Sequence, residues 1–340
     1  MKDSGTTGSG FQPRWVVSSS PHIRARDDTS RIMLSVILAL LPASIWGVYL
    51  FGPPALLTLT LSVAFCLAFE AASQKLLGKP VTLWDLSAAV TGVLLAMNLP
   101  PTSPWWLIAA GAFVAMFFGK HVYGGLGHNI FNPALVGRVF LLISFPAQMT
   151  SWAVPRPPFG TGHIDAITSA TVLGEIKTSL MVTGKIGYIS TPVWDLVIGN
   201  TGGSRGEMSA LLLLVGAAFL LARRIISWHT RVAFVGTVLV MATVGHLFYP
   251  DKVAHPLIHL FGGGLILGAF FMATDYVTTP ITPLGKLVFG IGCGFITFVI
   301  RQFGGYPEGV SFAILLMNAT TPLIDSYIRP RVFGTGKAKP

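Results

Sequence analysis

The sequence predicts an all-α polytopic membrane protein with about ten transmembrane helices, arranged as two five-helix inverted repeats with a large extracytoplasmic loop between them. Three observations support this fold class. Of the 340 residues, 52% are hydrophobic and only 11% are charged, and the mean hydropathy of +0.68 is too apolar for a water-soluble protein of this length. Apolar runs of helical length recur along the chain, and two stretches in opposite halves resemble each other.

A polar and basic tail, residues 1–30, precedes the first apolar run. It has no signal-peptide pattern, so we expect the first hydrophobic segment to remain as an anchor and the tail to be cytoplasmic. Residues 31–146 are predicted to be the first membrane repeat, divided into five helices by proline, glycine and charged residues. The predicted helices are 31–51, 54–77, 84–99, 104–121 and 130–146.

A polar segment, residues 147–206, separates the two predicted repeats. It contains three closely spaced prolines and several glycines, a composition typical of an extramembrane loop. Residues 207–328 are predicted to be the second membrane repeat, and residues 329–340 a cytoplasmic tail. The predicted helices of the second repeat are 207–226, 230–249, 257–274, 284–303 and 308–327.

Basic residues predict the orientation in the membrane, because cytoplasmic loops are enriched in lysine and arginine. With a cytoplasmic N-terminus, sixteen of the 23 basic residues fall on the cytoplasmic side and five on the other. Both termini are therefore predicted to be cytoplasmic, and the 147–206 loop to face outward. Membrane orientation also explains the net charge of +10 without nucleic acid as a partner.

The internal resemblance joins two proline-rich stretches, MNLPPTSP at 97–104 and MATDYVTTPITP at 272–283. Each precedes an apolar helix that ends in an aromatic residue and two glycines. Pro104 and Pro283 are 179 positions apart, and the paired glycines after these helices are 180 apart. Since a repeat of five helices is odd in number, the second copy must insert upside down.

In folds of this kind, interrupted segments meet near the middle of the membrane and line a pathway. Here these segments would be 98–104 with 124–133 and 275–283 with 304–309, although ordinary re-entrant turns are an alternative. Ionisable residues at membrane depth are functional candidates because burying charge there is costly. Asp275 and Arg138, next to interrupted segments, are the ion-pathway candidates. The full set is Glu70, Asp85, Arg138, Asp275, Glu308 and Asp325.

Several chemistries are excluded by what the sequence does not contain. There is no Walker loop, no GxGxxG after a strand, no HExxH and no supported Ser/His/Asp set, so no catalytic side chains or metal site are predicted. The two cysteines, Cys66 and Cys293, lie in separate apolar runs, which predicts neither an iron–sulfur cluster nor a disulfide in this chain.

One short motif in the predicted outer loop is suited to an anionic ligand. Asp165 is followed by Thr168, Ser169, Ala170 and Thr171, and an amphipathic stretch over 172–182 comes next. Locally, Thr168 or Thr171 would cap a helix, a common role for hydroxyl residues. The free N–H groups at a helix start also bind phosphate. We expect position 171 to lie in an exposed loop.

The motif Thr168-Ser169-Ala170-Thr171 resembles the flavinylation motif of the NqrB and RnfD family. Two longer stretches agree: GKHVYGGLGHNIFNPALVGR at 119–138, and FGGYPEGV at 303–310 with LLMNA at 315–319. The resemblance covers roughly residues 30–333, and the short N-terminal tail is closer to RnfD than to NqrB. Ser169 stands where many members have glycine, and Val172 where proline is frequent.

The resemblance implies that FMN is esterified through its phosphate to Thr171, with Asp165, Thr168 and Ser169 supporting the motif. It also implies a second, non-covalent flavin, a riboflavin, nearer the membrane interior. The expected role is electron relay in a ferredoxin:NAD oxidoreductase complex of the Rnf type that moves Na⁺ or H⁺. Partners would be iron–sulfur and flavin subunits in the bacterial or archaeal cytoplasmic membrane.

Two other functions remain open on the residues alone. An inverted five-helix repeat also builds channels for small polar solutes, and fold does not determine function. A purely structural anchor for partner subunits is the third possibility. A bound flavin distinguishes the electron relay from both.

Overall fold

A computed structural model describes residues 28–153, 168–169, 171–187, 192–199, 203–204 and 209–329. Within these residues the chain is helical, apart from two antiparallel strands of two residues each. Nearly all of the two predicted tails, 1–30 and 329–340, lies outside the described residues. The all-helical fold class is therefore confirmed for the part of the chain that the structure describes.

The first half contains five helical segments whose ends lie within three residues of the predicted ones. α3 follows a short 3₁₀ turn over Leu83–Asp85, and α4 continues directly into a π-helix. The segments are α1 (Thr29–Phe51), α2 (Pro53–Leu76), α3 (Ser87–Asn98), α4 (Trp105–Phe113, with the π-helix Val114–His121) and α5 (Pro133–Ser144).

The segment between the halves is not a structureless loop. Strand β1 pairs with β2 in antiparallel register, Trp152 opposite Ser169 and Ala153 opposite Thr168. This pairing returns the chain to the end of the bundle just before α7 begins. The elements are α6 (Pro146–Met149), β1 (Trp152–Ala153), β2 (Thr168–Ser169), α7 (Val172–Thr183) and α8 (Val193–Ile198).

In the second half the predicted continuous helix 257–274 is wrong. Three consecutive glycines, 262–264, interrupt it, and Gly263 has a φ of +70°, which side-chain-bearing residues rarely adopt. Short α11 and α12 and a second π-helix, Gly268–Met272, stand in its place. The elements are α9 (Ala210–Ala222), α10 (Trp228–Phe248), α11 (Pro256–Phe261), α12 (Leu265–Leu267), α13 (Pro283–Phe303) and α14 (Val310–Tyr327).

Four described helices are long and apolar enough to cross a membrane by length and composition: α1, α2, α10 and α13. Three shorter apolar helices, α3, α5 and α9, accompany them in the bundle. The chain is thus a multi-pass membrane protein. The number of crossings and the inverted symmetry stay predictions.

Proline and a polar cap start comparable helices in both halves. Asn132 accepts from the backbone N–H groups of residues 134 and 135 before Pro133 begins α5. Thr282 accepts from the N–H of residue 285 at 3.0 Å before Pro283 begins α13. Proline suits the first helical position because its missing N–H has no helical partner there.

Glycine permits the close packing of α10 on α13. A Cβ at Gly290 would lie 2.5 Å from the carbonyl oxygen of Thr230, and a Cβ at Gly294 would lie 2.7 Å from that of Phe234. Small residues four apart bring membrane helices together in this way. One apolar cluster, which includes Leu95 of α3 and Phe289 of α13, then continues through both halves.

Candidate functional site

Thr171 is the N-cap residue of α7, which decides between the two threonines of the motif. Its hydroxyl oxygen accepts from the N–H of Gly174 at 3.1 Å. Thr168 and Ser169 instead form strand β2, and Asp165 lies outside the described residues. The hydroxyl of Thr171 therefore stands at the start of a twelve-residue helix, where free N–H groups favour an anion.

The expectation that position 171 lies in an exposed loop is wrong. Thr171 is only 6% exposed. The physical reason is the apolar side of α7, which packs against residues of α8 and of the second half. This cluster consists of Val172, Leu173, Ile176, Leu196, Ala254 and Ile258.

Lys177 fixes α7 to the second half from the same side. It is 8% exposed, and its Nζ donates to the carbonyl oxygens of Arg301 at 3.2 Å and Gln302 at 3.1 Å. These carbonyls belong to the last turn of α13, where helical partners are missing and a positive charge is favoured. Burial lowers the pKa of the Lys177 ammonium. Nothing in the sequence pattern had singled out this lysine.

Arg138 joins the two halves deep in the bundle. Its guanidinium donates to Asn98 at the end of α3 and to the carboxylate of Glu308, which lies just before α14. Asn132 adds a link 3.1 Å long from its side-chain nitrogen to the carbonyl oxygen of Met272. Arg138 therefore joins one residue from each of two predicted interrupted segments, 98–104 and 304–309, and a pathway lined by these segments stays a prediction.

Arg301 lies near Arg138 and Glu308, at the end of α13 that α7 contacts. Its Nη1 donates to the carbonyl oxygen of His259 at 2.5 Å, and its Nη2 donates to that of Gly262 at 3.1 Å. A Cβ at Gly263 would lie 2.8 Å from Leu173 and 3.0 Å from Arg301. The glycine break thus allows α7 and the arginine to approach the same turn.

Asp275 lies near the beginning of α13, and Lys177 caps its other end. A helix of 21 residues is about 31 Å long, so Asp275 and Lys177 lie far apart along the bundle. Asp275 is partly buried and accepts from Asn129 Nδ2 at 3.1 Å. Arg138 binds Asn98 and Glu308 instead, so the two ion-pathway candidates have different partners.

An interior pocket surrounds Asp275 and lies between the two halves. Its free volume is about 100 Å³, below the range of about 300–1,000 Å³ usual for small-molecule sites. Most of its lining is apolar, from α1, α3, α9 and the second π-helix. Its polar lining residues include Lys120, Asn129, Asn132, Asp275, Ser87 and Thr91.

Glu70 of α2 forms a buried cluster with two residues of the first π-helix. Its carboxylate oxygens each lie 2.8 Å from Lys120 Nζ, and Nε2 of His121 lies 3.0 Å from one of them. Lys120 also donates to Ser87 Oγ at 2.7 Å, and Gln74 donates to Glu70 at 2.8 Å. We call Glu70, Lys120 and His121 the Glu70 triad. Sequence analysis identified Glu70 as a candidate but not its partners.

The other ionisable candidates occupy helix-end positions. Asp85 accepts from the N–H of Ser87 at 2.9 Å at the start of α3. Asp325 accepts from the N–H of Ile281 at 3.1 Å, just before α13. Their hydrogen bonds satisfy backbone groups, a structural role that the sequence pattern allowed for.

The residues present at the start of α7 fit a phosphate group. An ester at Thr171 would take away the hydroxyl that now accepts from Gly174, and the phosphate oxygens could accept from the same N–H. Glycine at position 174 keeps the space above the hydroxyl free of side chains, since even a Cβ there would lie 3.1 Å from it.

Comparison with known proteins places the chain among membrane oxidoreductase subunits. The family model described as the NQR2, RnfD, RnfE family matches residues 16–334. The chain is 46% identical over 327 residues to the D-type subunit of the Na(+)-translocating ferredoxin:NAD(+) oxidoreductase complex of Acetobacterium woodii, covering 95% of this chain and 96% of the relative.

Two further relatives are similar over nearly their whole length. The D-type subunit of the ion-translocating oxidoreductase complex of Stutzerimonas stutzeri is 45% identical over 336 residues, covering 93% of this chain and 95% of the relative. The D-type subunit of the proton-translocating ferredoxin:NAD(+) oxidoreductase complex of Clostridium ljungdahlii is 43% identical over 330 residues, covering 94% and 96%.

Proposed function

Since the chain belongs to the NQR2, RnfD, RnfE family, we propose that it carries FMN esterified to Thr171 and relays electrons through it. It is a membrane subunit of an ion-translocating oxidoreductase complex, as the names of its relatives indicate. Those names give Na⁺ for one relative and protons for another at similar identity. The channel alternative has no support from them.

The observation that carries the FMN proposal is the position of Thr171 as the buried N-cap of α7. A helix start offers N–H groups to the phosphate, and attachment to a buried residue restrains the flavin more than attachment to an exposed loop would. The flavin itself supplies the redox chemistry, while the chain binds it, orients it and limits the access of water. Asp165, Thr168 and Ser169 are proposed as supporting residues of the attachment motif.

A second, non-covalent flavin, a riboflavin nearer the membrane interior, is also proposed on the family resemblance. The interior pocket has apolar walls and polar groups that suit a flavin ring, but with a free volume of about 100 Å³ it would have to widen to admit one. Asp275 and Arg138 remain the proposed ion-pathway residues.

We place both termini in the cytoplasm of a bacterial or archaeal cell and the Thr171 end outside, on the distribution of basic residues. Two inverted five-helix repeats, with the flavin-bearing segment between them, remain the proposed architecture. Iron–sulfur and flavin subunits are the proposed partners. Reporters fused at residue 160 and at the C-terminus should lie on opposite sides of the membrane; the same side for both would overturn this topology.

Thr171→Ala should abolish covalent flavin while the subunit still inserts, because the substitution removes the acceptor oxygen and one capping bond. Loss of a cap costs about 1 kcal/mol, a small part of the stability of the bundle. Each variant is co-expressed with a flavin transferase, run on a denaturing gel and viewed under ultraviolet light. The flavin-bearing peptide is then weighed by mass spectrometry.

Thr178→Ala is the matched control, since Thr178 is an exposed threonine of the same helix. It should keep the fluorescent band, and Thr168→Ala should have a smaller effect than Thr171→Ala. A band that survives in Thr171→Ala would show that the attachment site is elsewhere. A wild-type subunit that never becomes fluorescent would remove the covalent-flavin proposal.

A further inference from the structure

Equivalent helix ends in the two halves have different surroundings. His121 and Arg301 each lie three residues before a pair of glycines, and they are 180 positions apart, the offset that relates the two halves. His121 lines an open cavity with a free volume of about 490 Å³, together with Gly124 and Gly125. At the equivalent end of the second half, Lys177 of α7 binds the carbonyl oxygen of Arg301. One helix end is therefore open, and its counterpart is covered by a helix.

The covering helix, α7, is attached to the bundle through one side of its surface. Its buried side chains Val172, Leu173 and Ile176 belong to a small cluster that is separate from the main core. Leu173 fits against the break between α11 and α12, where a Cβ at Gly263 would lie 2.8 Å from it. Lys177 adds two hydrogen bonds to the end of α13. A helix that packs through a small cluster separates from a bundle at lower cost than a core helix does.

Polar groups without partners lie beside the surface that α7 covers. His259 follows Ile258, a member of the α7 cluster, and is 4% exposed, yet neither ring nitrogen has a hydrogen-bond partner within the described residues. The same is true of the hydroxyl of Thr297, which is completely buried one turn before Arg301. Buried groups of this kind cost free energy that contact with water would relieve. This cost narrows the free-energy difference between docked α7 and an arrangement in which water reaches these groups.

The ion-pathway candidate Arg138 lies beneath the same cover. Its partner Glu308 has its Cγ 3.7 Å from the position of a Cβ at Gly263, and Nη1 of Arg138 is 3.6 Å from that of a Cβ at Gly264. Leu173 of α7 contacts the same glycine turn. A single turn of chain therefore separates α7 from the Arg138–Glu308 pair.

We propose that α7 is the outer gate of the ion pathway that contains Arg138 and Glu308. Docked, it closes the pathway at the Thr171 end; during turnover it lifts from α11 and from the end of α13, and water reaches the pair. The docked arrangement, with its open cavity at His121, corresponds to the inward-facing state of alternating access. The gate rests on the proposed function in two respects, the orientation in the membrane and the assignment of Arg138 to the pathway.

Cysteine labelling of the assembled complex tests the gate. Ala254 is 4% exposed and belongs to the cluster that α7 covers, so Ala254→Cys places a small reactive group there. The purified complex is treated with a maleimide, and the modified peptide of this subunit is quantified by mass spectrometry. Labelling should be on the order of tenfold faster while the complex turns over with ferredoxin and NAD than at rest. Tyr249→Cys, at a residue 63% exposed at the same end, should be labelled equally fast in both conditions.

Lys177→Met is the variant that should loosen the gate. Because it removes both hydrogen bonds to the end of α13, labelling of Ala254→Cys at rest should rise on the order of tenfold, the factor that corresponds to about 1.4 kcal/mol. Lys185→Met is the matched control, since Lys185 is an exposed lysine just after α7. It should change the labelling rate by less than about twofold.

The native cysteines show whether the bundle itself stays closed. Cys66 of α2 and Cys293 of α13 are completely buried. Both should stay unlabelled in every condition in which Ala254→Cys reacts faster. If they react together with Ala254→Cys, the whole bundle opens and α7 is not a separate gate.

Equal labelling of Ala254→Cys at rest and during turnover would overturn the gate and leave α7 as a fixed cover. Ion transport by an Arg138→Gln complex is measured in parallel, because it tests the premise and not the movement of α7. Normal transport in that complex would overturn the pathway assignment on which the gate rests, whatever the labelling result.

Discussion

The two ends of the bundle hold their functional residues in different ways. At the Thr171 end, an amphipathic helix is mounted by apolar contacts and by Lys177, which binds backbone carbonyls of α13. At the other end, side chains bind side chains: Glu70 with Lys120, and Asn129 with Asp275. Backbone carbonyls do not titrate in the physiological range, whereas carboxylates and ammonium groups can exchange protons. The Thr171 end thus holds the docked α7 in a fixed position, whereas the side-chain network at the other end can change its charge.

The larger effect on stability is expected at the Thr171 end, where Lys177 binds the end of α13. Lys177→Met keeps the aliphatic chain but removes both hydrogen bonds to the end of α13. Because bonds from charged groups contribute about 1.5–3 kcal/mol each and the freed carbonyls can be rehydrated, we expect a loss of about 1–3 kcal/mol in the docking of α7. Hydrogen exchange of the α7 amides measures it.

Lys185→Met is the control for this comparison. Lys185 pairs with Asp251 at 3.4 Å, but their side chains are 72% and 68% exposed, so the pair contributes about 0–1 kcal/mol. If the α7 amides exchanged equally fast in the Lys177→Met and Lys185→Met proteins, Lys177 would have no special role in holding α7 in place.

The smaller effect on stability is expected at the other end, in the side-chain network that contains Asp275. Asp275→Ala removes one hydrogen bond from Asn129 at a partly buried position, which costs about 0.5–1.5 kcal/mol. Coupled turnover should be impaired much more than folding is, since Asp275 lines the interior pocket near the interrupted segments. Thermal unfolding and ion-coupled activity are compared in the same preparation. Normal coupled activity in this variant would remove Asp275 from the mechanism.

Local features of this chain were predictable from the sequence. Helix positions followed from apolar runs and from proline, and the capping role of one of the two motif threonines followed from hydroxyl chemistry at a helix start. The break at residues 262–264 was missed because the flanking apolar residues continue the helical pattern. Three glycines in a row were the available signal.

Long-range features were not predictable in the same way. The burial of Thr171 depends on α8 and α11, and the pairing of Arg138 with Glu308 spans 170 positions. Apolar periodicity reports which side of a helix is buried but not which distant residue meets it. Lys177 illustrates this limit, because a lysine in an amphipathic stretch is usually a solvated residue.

The Arg138 pair also has a consequence for the synthesis of the chain. Asn98 is made before Arg138, but Glu308 is made 170 residues later. At a synthesis rate of about 5–20 residues per second, the interval is roughly 10–30 s. Throughout that time the guanidinium has its neutral partner and not its carboxylate. The first half of this membrane protein therefore acquires its final charge balance only when translation is nearly complete.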